Sequence, residues 1–380
     1  MSVIVSPTLQ SIIEMRFWSY LNKYVAITFI SMVLLISIFS NFLANDKPIL
    51  LIEKNGTLSF FAKKEDNAKY SFVINPLISY HDGLDLKNTF LRPFERTETG
   101  HYLGTDHLGR DVLAGLIHGG KISIGISVLA MLFAAIIGVV VGSLSGYIGD
   151  TRYEISISRA FLSIVLLIVA YYFLFHLNFA LVPFLVITVI TILGFYLVMK
   201  RISWLRKRFI VPLDFLLLKF METFSSIPTY FLILAFVVFV KPNWLLFAFI
   251  IGATSWILVA RLIRGEMIKV RNSGFIESAR AMGVPELSIL IKHALPNAMG
   301  PLPFAITFGI AGIIVVESTL SYLGVGLPAD TLSWGNFLSG FKNNTSAWWI
   351  AVLPGIVIFL TILSLHILGR QLDDRFNPRR

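Results

Sequence analysis

Apolar residues in this chain run in long uninterrupted blocks, separated by short polar and basic stretches. Eight blocks reach membrane-crossing length, at residues 25–44, 122–148, 160–177, 179–199, 214–240, 244–263, 302–326 and 349–369. A helix needs roughly 20 such residues to cross a bilayer, so the pattern predicts an all-α polytopic membrane protein with about eight helices. The join between the third and fourth blocks, His176-Leu177-Asn178, is short enough for a tight helical hairpin. Between the first two blocks the pattern changes. Ile49–Lys54 and Thr57–Phe61 flank Asn55-Gly56, two residues that accept positive φ, and this predicts a small β-hairpin.

Composition supports the membrane class. Of 380 residues, 56% are hydrophobic and 14% charged, and mean hydropathy is +0.77; a soluble domain carries about 25% charged residues. The formal net charge of +10 sits in particular loops. Lys200, Arg201, Arg206, Lys207 and Arg208 follow the fourth block. Arg264, Lys269, Arg271, Arg280 and Lys292 follow the sixth, and Arg370, Arg375, Arg379 and Arg380 follow the last. The alternating short loops hold little beyond Lys241 and Lys342. Positive charge stays inside, so both termini are expected in the cytoplasm, and the basicity needs no nucleic acid. Residues 45–121 then face outward, a loop too long for the charge rule to apply. The chain has no cysteine, which excludes disulfides and thiolate metal sites. The first block, Tyr24 to Ala44, is too long for a signal peptide core and lacks a small-residue cleavage site, so it reads as a retained helix.

Several residues stand out against this background. Gly138, Gly142 and Gly146 recur every four positions in the second block, a spacing that lets helix backbones approach closely. Charges inside spans are functional candidates by default. Glu222 lies three residues from Lys219, where mutual neutralisation is the plain explanation. Glu317 has no such neighbour and either lines a translocation path or bonds to another helix. Gly115 to Lys121 nearly spells a phosphate-binding loop, but Ile122 stands where a hydroxyl must hold magnesium, and no strand precedes it. His101 and His107 flank Asp106 without the pattern of a metal site, and none is assigned.

The strip Asn272 to Pro296 is the most informative. Phe275, Ile276, Ala279 and Met282 fall on one helical face, with Glu277 and Arg280 off it. Gly283 stands where a helix ends, Pro285 suits the first turn of another, and Glu286 sits near its positive end. Two short helices meeting at a bend are predicted. Glu277-Ser278-Ala279, three residues, Gly283, nine residues and His293-Ala294-Leu295-Pro296 resemble the "EAA" loop of ABC importer permeases. Ser278 stands where that pattern has Ala, and His293 where it has Ile. Ser is small enough to keep the packing, and His is usual in the peptide-importer branch. The resemblance implies that residues 272–296 form a coupling helix fitting a groove on an ATPase subunit. It assigns contacts to Glu277, Ser278, Ala279 and Gly283, with Leu295 and Pro296 closing the loop.

Further segments resemble dipeptide and oligopeptide permeases in order along the chain. They are Gly104-Thr105-Asp106-His107-Leu108-Gly109-Arg110-Asp111; Lys219, Glu222 and Pro228; Glu317-Ser318 with Ser321-Tyr322-Leu323-Gly324; Ser333-Trp334-Gly335-Asn336; and Leu368-Gly369 with Asn377-Pro378-Arg379. Asn377 replaces the usual Asp. Asn45-Asp46-Lys47-Pro48 resembles the microcin C branch. The resemblance implies a type I ABC importer transmembrane domain in the inner membrane. Its expected partners are a second permease subunit, two ATPase subunits that bind ATP and Mg, an external solute-binding protein, and a di- or oligopeptide substrate. The family core has six helices, so the blocks at 160–199 form an inserted hairpin, placed at 153–210. Residues 1–44 form the tail and first helix, 45–121 the outer region and 122–380 the permease core. An ion-coupled secondary transporter is the alternative; it would show inverted-repeat halves and has no use for the coupling loop.

Overall fold

The computed structural model describes residues 9–45, 47–53, 58–61, 70–79, 88–95, 101–150, 154–156, 208–210, 212–240, 243–328 and 331–376. The predicted spans at 160–177 and 179–199, and the hairpin turn Asn55-Gly56, lie outside them. The chain divides into two compact units, residues 1–140, 225–263 and 295–380 in one, and 141–224 and 264–294 in the other.

In the first unit, helix α1 (Leu9–Ile38) and the short α2 (Ser40–Leu43) lead into the outer segment. Strand β1 (Ala44–Asn45) pairs in parallel with β5 (Ile78–Ser79). Strands β2 (Leu50–Glu53) and β3 (Leu58–Phe60) are antiparallel, but with Leu50 opposite Phe60 and Ile52 opposite Leu58 they sit one residue off the register that a two-residue turn at Asn55-Gly56 requires, and β4 (Tyr70–Ile74) adds to the other side of β2. Leu50 aligns with Phe60 and Ile74, and Ile52 with Leu58 and Phe72. One face of this sheet is therefore a continuous apolar row, with Leu58, Phe60 and Phe72 exposed and Leu51 buried on the opposite side.

Helix α3 (Val112–Ile148) begins ten residues before the apolar block suggests and so includes the Gly115–Lys121 segment. Its start is fixed by Asp111, whose Oδ1 accepts the Ala114 N–H at 2.7 Å. Asp106 secures the preceding turn, accepting the Leu108 and Arg110 amides and Arg110 Nε at 2.7 Å. His101 turns to Asp111 (2.9 Å) rather than to Asp106. The segment that resembles the family at 104–111 is thus a helix-starting knot.

Two of the predicted spans are broken. Pro228 separates α4 (Leu213–Ser226) from α5 (Thr229–Val240), because proline lacks the N–H a continuing helix needs and disfavours helical geometry at Ile227. Trp256 separates α6 (Trp244–Ser255) from α7 (Ile257–Arg271). No proline stands there; Thr254 and Ser255 both donate hydroxyls to the Ile251 carbonyl at 2.8 Å, competing with the helical ladder. Among the described residues, α3, α11 (Leu302–Leu323) and α13 (Trp349–Phe376) are each long and apolar enough to cross a membrane, and each broken pair qualifies as one further span. Before α11 lie α8 (Gly274–Ala281), α9 (Glu286–Ser288) and α10 (Leu295–Ala298); α12 (Trp334–Ser339) precedes α13.

Within the first unit, α1, α11 and α13 meet around Ala311, Ile314 and Leu365. Close backbone approaches hold the other helices. A Cβ added to Gly252 would stand 2.6 Å from the Ala130 carbonyl oxygen, and one on Gly138 would stand 2.6 Å from Val259 Cβ and 2.8 Å from the Trp256 carbonyl oxygen. In the second unit, β6 (Glu154–Ser156) pairs antiparallel with β7 (Arg208–Ile210), Glu154 opposite Ile210. These strands bring residues 154–156 and 208–210 side by side.

Gly138→Ala and Gly125→Ala make a matched pair in α3, since nothing lies within 4 Å of a Cβ at Gly125. Gly138→Ala is expected to destabilise by about 1–3 kcal/mol through overpacking, and Gly125→Ala to be neutral. Thermal unfolding of the detergent-purified protein checks both.

Candidate coupling site

The second unit gathers the end of α3, the start of α4, the end of α7 and the bent loop that follows. After α7 stops at Arg271, the Ser273 hydroxyl donates to the Val270 carbonyl at 2.5 Å and the chain turns into α8. Helix α8 buries Ile276 and Ala279. Phe275 and Met282 are exposed, Met282 at 76%, so the single apolar face expected from spacing splits into an inward pair and an outward pair. Glu277 and Ser278 are also exposed. Ser278 Oγ donates to the Gly274 carbonyl at 2.9 Å and stays on its own helix.

Gly283 ends α8 at φ +78°. Its N–H donates to the Arg280 carbonyl at 3.0 Å and that of Val284 to the Ala279 carbonyl at 3.2 Å, the paired bonds of a glycine-terminated helix end. Pro285 stands just ahead of α9 rather than inside its first turn. From Ile289 to Ala294 the helix widens into π turns before Leu295 and Pro296 resume α-geometry in α10. Pro296 has no N–H to give to the Lys292 carbonyl, and the wide turns sit directly before it. The two short helices and the bend are as the sequence suggests, and the second helix is the less regular one.

Glu286 draws this corner together. Arg280 Nε donates to Glu286 Oε1 at 2.5 Å across the bend, and the Tyr147 hydroxyl, on the last turn of α3, donates to Glu286 Oε2 at 2.5 Å. The hydrogen bond from Arg280 to Glu286 raises the guanidinium above its ordinary pKa. Beneath lies a cavity of about 500 Å³ lined by Leu144, Tyr147, Ile148, Arg280, Glu286, Leu287 and Leu290.

A second network anchors the end of α3. Asp214 on α4 accepts Arg264 Nε and Nη2 at 2.7 Å each, and also the Ser145 hydroxyl. Asp150 accepts the Phe215 N–H at 2.9 Å. A Cβ on Gly146 would lie 2.7 Å from the Arg264 carbonyl oxygen and 2.8 Å from Met267 Cβ, so α3 and α7 touch at the backbone there. Gly142 is buried between these close approaches and those of Gly138.

The intramembrane acids separate in character. Glu222 pairs with Lys219 at 2.8 Å, both more than half exposed. Glu317 is fully buried in the first unit and accepts Ser123 and Ser321 hydroxyls at 2.9 Å each, with Ser318 at 3.4 Å. Ser123 Oγ also accepts the Trp334 N–H at 3.1 Å. Glu317 thus bonds to the neighbouring helix α3. Neither Tyr147 nor Asp214 was singled out from sequence. Asp214 beside a broken span was the available signal; Tyr147 offered none, being 139 residues from its partner.

Comparison with known proteins places this geometry in a class. Residues 205–378 match the family described as "Binding-protein-dependent transport system inner membrane component". The matched segment covers a little under half of the chain, whose long apolar helices are those of a multi-pass membrane protein. The chain is also similar to dipeptide and oligopeptide permeases. It is 26% identical over 371 residues to the inner membrane ABC transporter permease protein YejE of Escherichia coli, covering 91% of this chain and 90% of that one. It is 26% identical over 280 residues to the oligopeptide transport system permease protein OppC of Haemophilus influenzae, covering 73% and 70%. With the dipeptide transport system permease protein DppC of Bacillus subtilis it shares 24% over 311 residues, covering 81% and 77%. A solved chain of the inward-facing MetNI methionine ABC transporter aligns with TM-score 0.47 at 13% identity, over 69% of this chain and 96% of that one.

Space around Gly283 is open, so substitution there tests backbone conformation alone. Gly283→Val is expected to destabilise the bend by about 1–2 kcal/mol and Gly283→Asn by less, since Asn tolerates the left-handed region. Amide exchange over 274–288 should accelerate in the order Val, Ala, Asn.

Proposed function

We propose that this chain is the membrane-spanning subunit of an ATP-driven importer of di- or oligopeptides, and that residues 272–296 couple it to a separate ATPase. The observation that carries this reading is the bent pair α8–α9. It is locked internally by Gly283 and by Arg280–Glu286, and it presents Phe275, Glu277, Met282 and Leu287 outward. An exposed apolar and acidic ridge on a rigid corner suits insertion into a groove of another protein. The names of the relatives support a peptide as substrate.

The short-loop charges support a cytoplasmic position for this corner and for both termini. ATP and Mg are then held by two ATPase subunits, with a second permease subunit completing the path and an external binding protein delivering substrate. ATP-driven closure of the ATPase pair moves the corner, and the spans shift between inward- and outward-open arrangements. The exposed row Leu58, Phe60 and Phe72 on the outer sheet gives the delivery protein an apolar surface on which to dock.

Glu277→Lys inverts a charge on the exposed face of α8 without touching buried contacts. It is expected to abolish uptake and the stimulation of ATP hydrolysis while membrane insertion stays intact. Uptake and co-purification of ATPase subunits are the readouts, and normal transport by this variant would remove the coupling assignment.

A further inference from the structure

An eight-residue helix and a three-residue helix have little stability of their own in water, so a lever built from them works only if something outside it holds it. Three features of the second unit bear on what does. The end of α3 is fixed to α7 and α4 by backbone contact at Gly146 and by Asp214 with Arg264 and Ser145. The corner of the loop is closed by Arg280 with Glu286. Among the described residues, the Tyr147 hydroxyl links these two firmly held pieces, donating to the same Glu286 carboxylate.

Around that link lies an open depression of about 500 Å³, lined by Leu144 and Ile148 on α3 and by Leu287 and Leu290 on the loop, with Leu144 and Leu287 partly exposed and Leu290 buried. The depression leaves room for its walls to approach or part. A carboxylate that takes one bond from each of two elements, and sits on a third, joins all three through one group.

We infer that Tyr147 is a positioning residue for coupling: through Glu286 it ties the bent loop to the end of α3, so that displacement of the loop moves that span instead of being lost in the cavity. The inference rests on the function proposed above. Its prediction is specific, because Tyr147→Phe removes one oxygen, and with it that hydroxyl's interactions with Glu286 and Arg280, while every side chain of the outward ridge stays in place.

The test uses the assembled transporter, co-expressed with its partner subunits and reconstituted in proteoliposomes with the delivery protein. Three quantities are read for each variant: ATPase subunits retained on purification, ATP hydrolysed, and peptide taken up per ATP. Tyr147→Phe is expected to keep the ATPase subunits and their hydrolysis, while uptake per ATP falls on the order of tenfold, the scale of a hydrogen bond to a charged group. Two results overturn the inference: Tyr147→Phe transporting with full uptake per ATP, or losing uptake only in proportion to lost complex, as a purely structural residue would. If the unaltered chain retains no ATPase subunits, the proposed function itself fails, and the first readout registers that separately.

Discussion

Lipid offers no hydrophobic drive for one helix to seek another, so this permease coheres where backbones come into direct contact. Helix α3 shows the constraint most plainly. Gly138 meets Val259 and the Trp256 carbonyl in one unit, and Gly146 meets Arg264 and Met267 in the other. Side-chain bonds then become possible that longer separations would forbid. Asp214 reaches both Arg264 and Ser145, and Glu317 collects hydroxyls from Ser123 and Ser321. A buried carboxylate is costly unless its lone pairs are filled, and small hydroxyl residues at close quarters fill them.

The bent loop is organised on a different principle. Its internal order comes from one left-handed glycine and one ion pair across the bend, both local in sequence. Its attachment comes from Ile276, Ala279, Ile289 and Leu290 turned inward and from a tyrosine on a distant helix. The outward side chains are left without those duties. A surface that carries no structural burden can be shaped for a partner, and that separation makes the corner suitable as a contact element.

How much of this was legible in the sequence follows from the range of each interaction. The bend at Gly283 and the antiparallel pairing of β2 with β3 depend on residues within a few positions, and the sequence announces both, although the register is one residue off that of a two-residue turn at Asn55-Gly56. The break at Pro228 is equally local, but the apolar run that continues through it hides it. The break at Trp256 arises from the hydroxyls of Thr254 and Ser255 bonding back to Ile251, a signal that apolarity alone masks. Asp111 as the cap of α3 was hidden inside a segment valued for its family likeness. The Tyr147–Glu286 bond joins residues far apart in the chain and leaves no periodic trace. The outward turn of Phe275 and Met282 follows from what α8 rests on, which spacing cannot supply.

The ladder between Glu154–Ser156 and Arg208–Ile210 carries a consequence beyond its size. Because it staples the two ends of the intervening stretch side by side, the chain leaves and re-enters the core at nearly one point. Whatever lies between can lengthen, shrink or be exchanged without reregistering α3 against α4. Evolution has thereby been handed a socket, and a graft of unrelated sequence between those strands would meet the same tolerance.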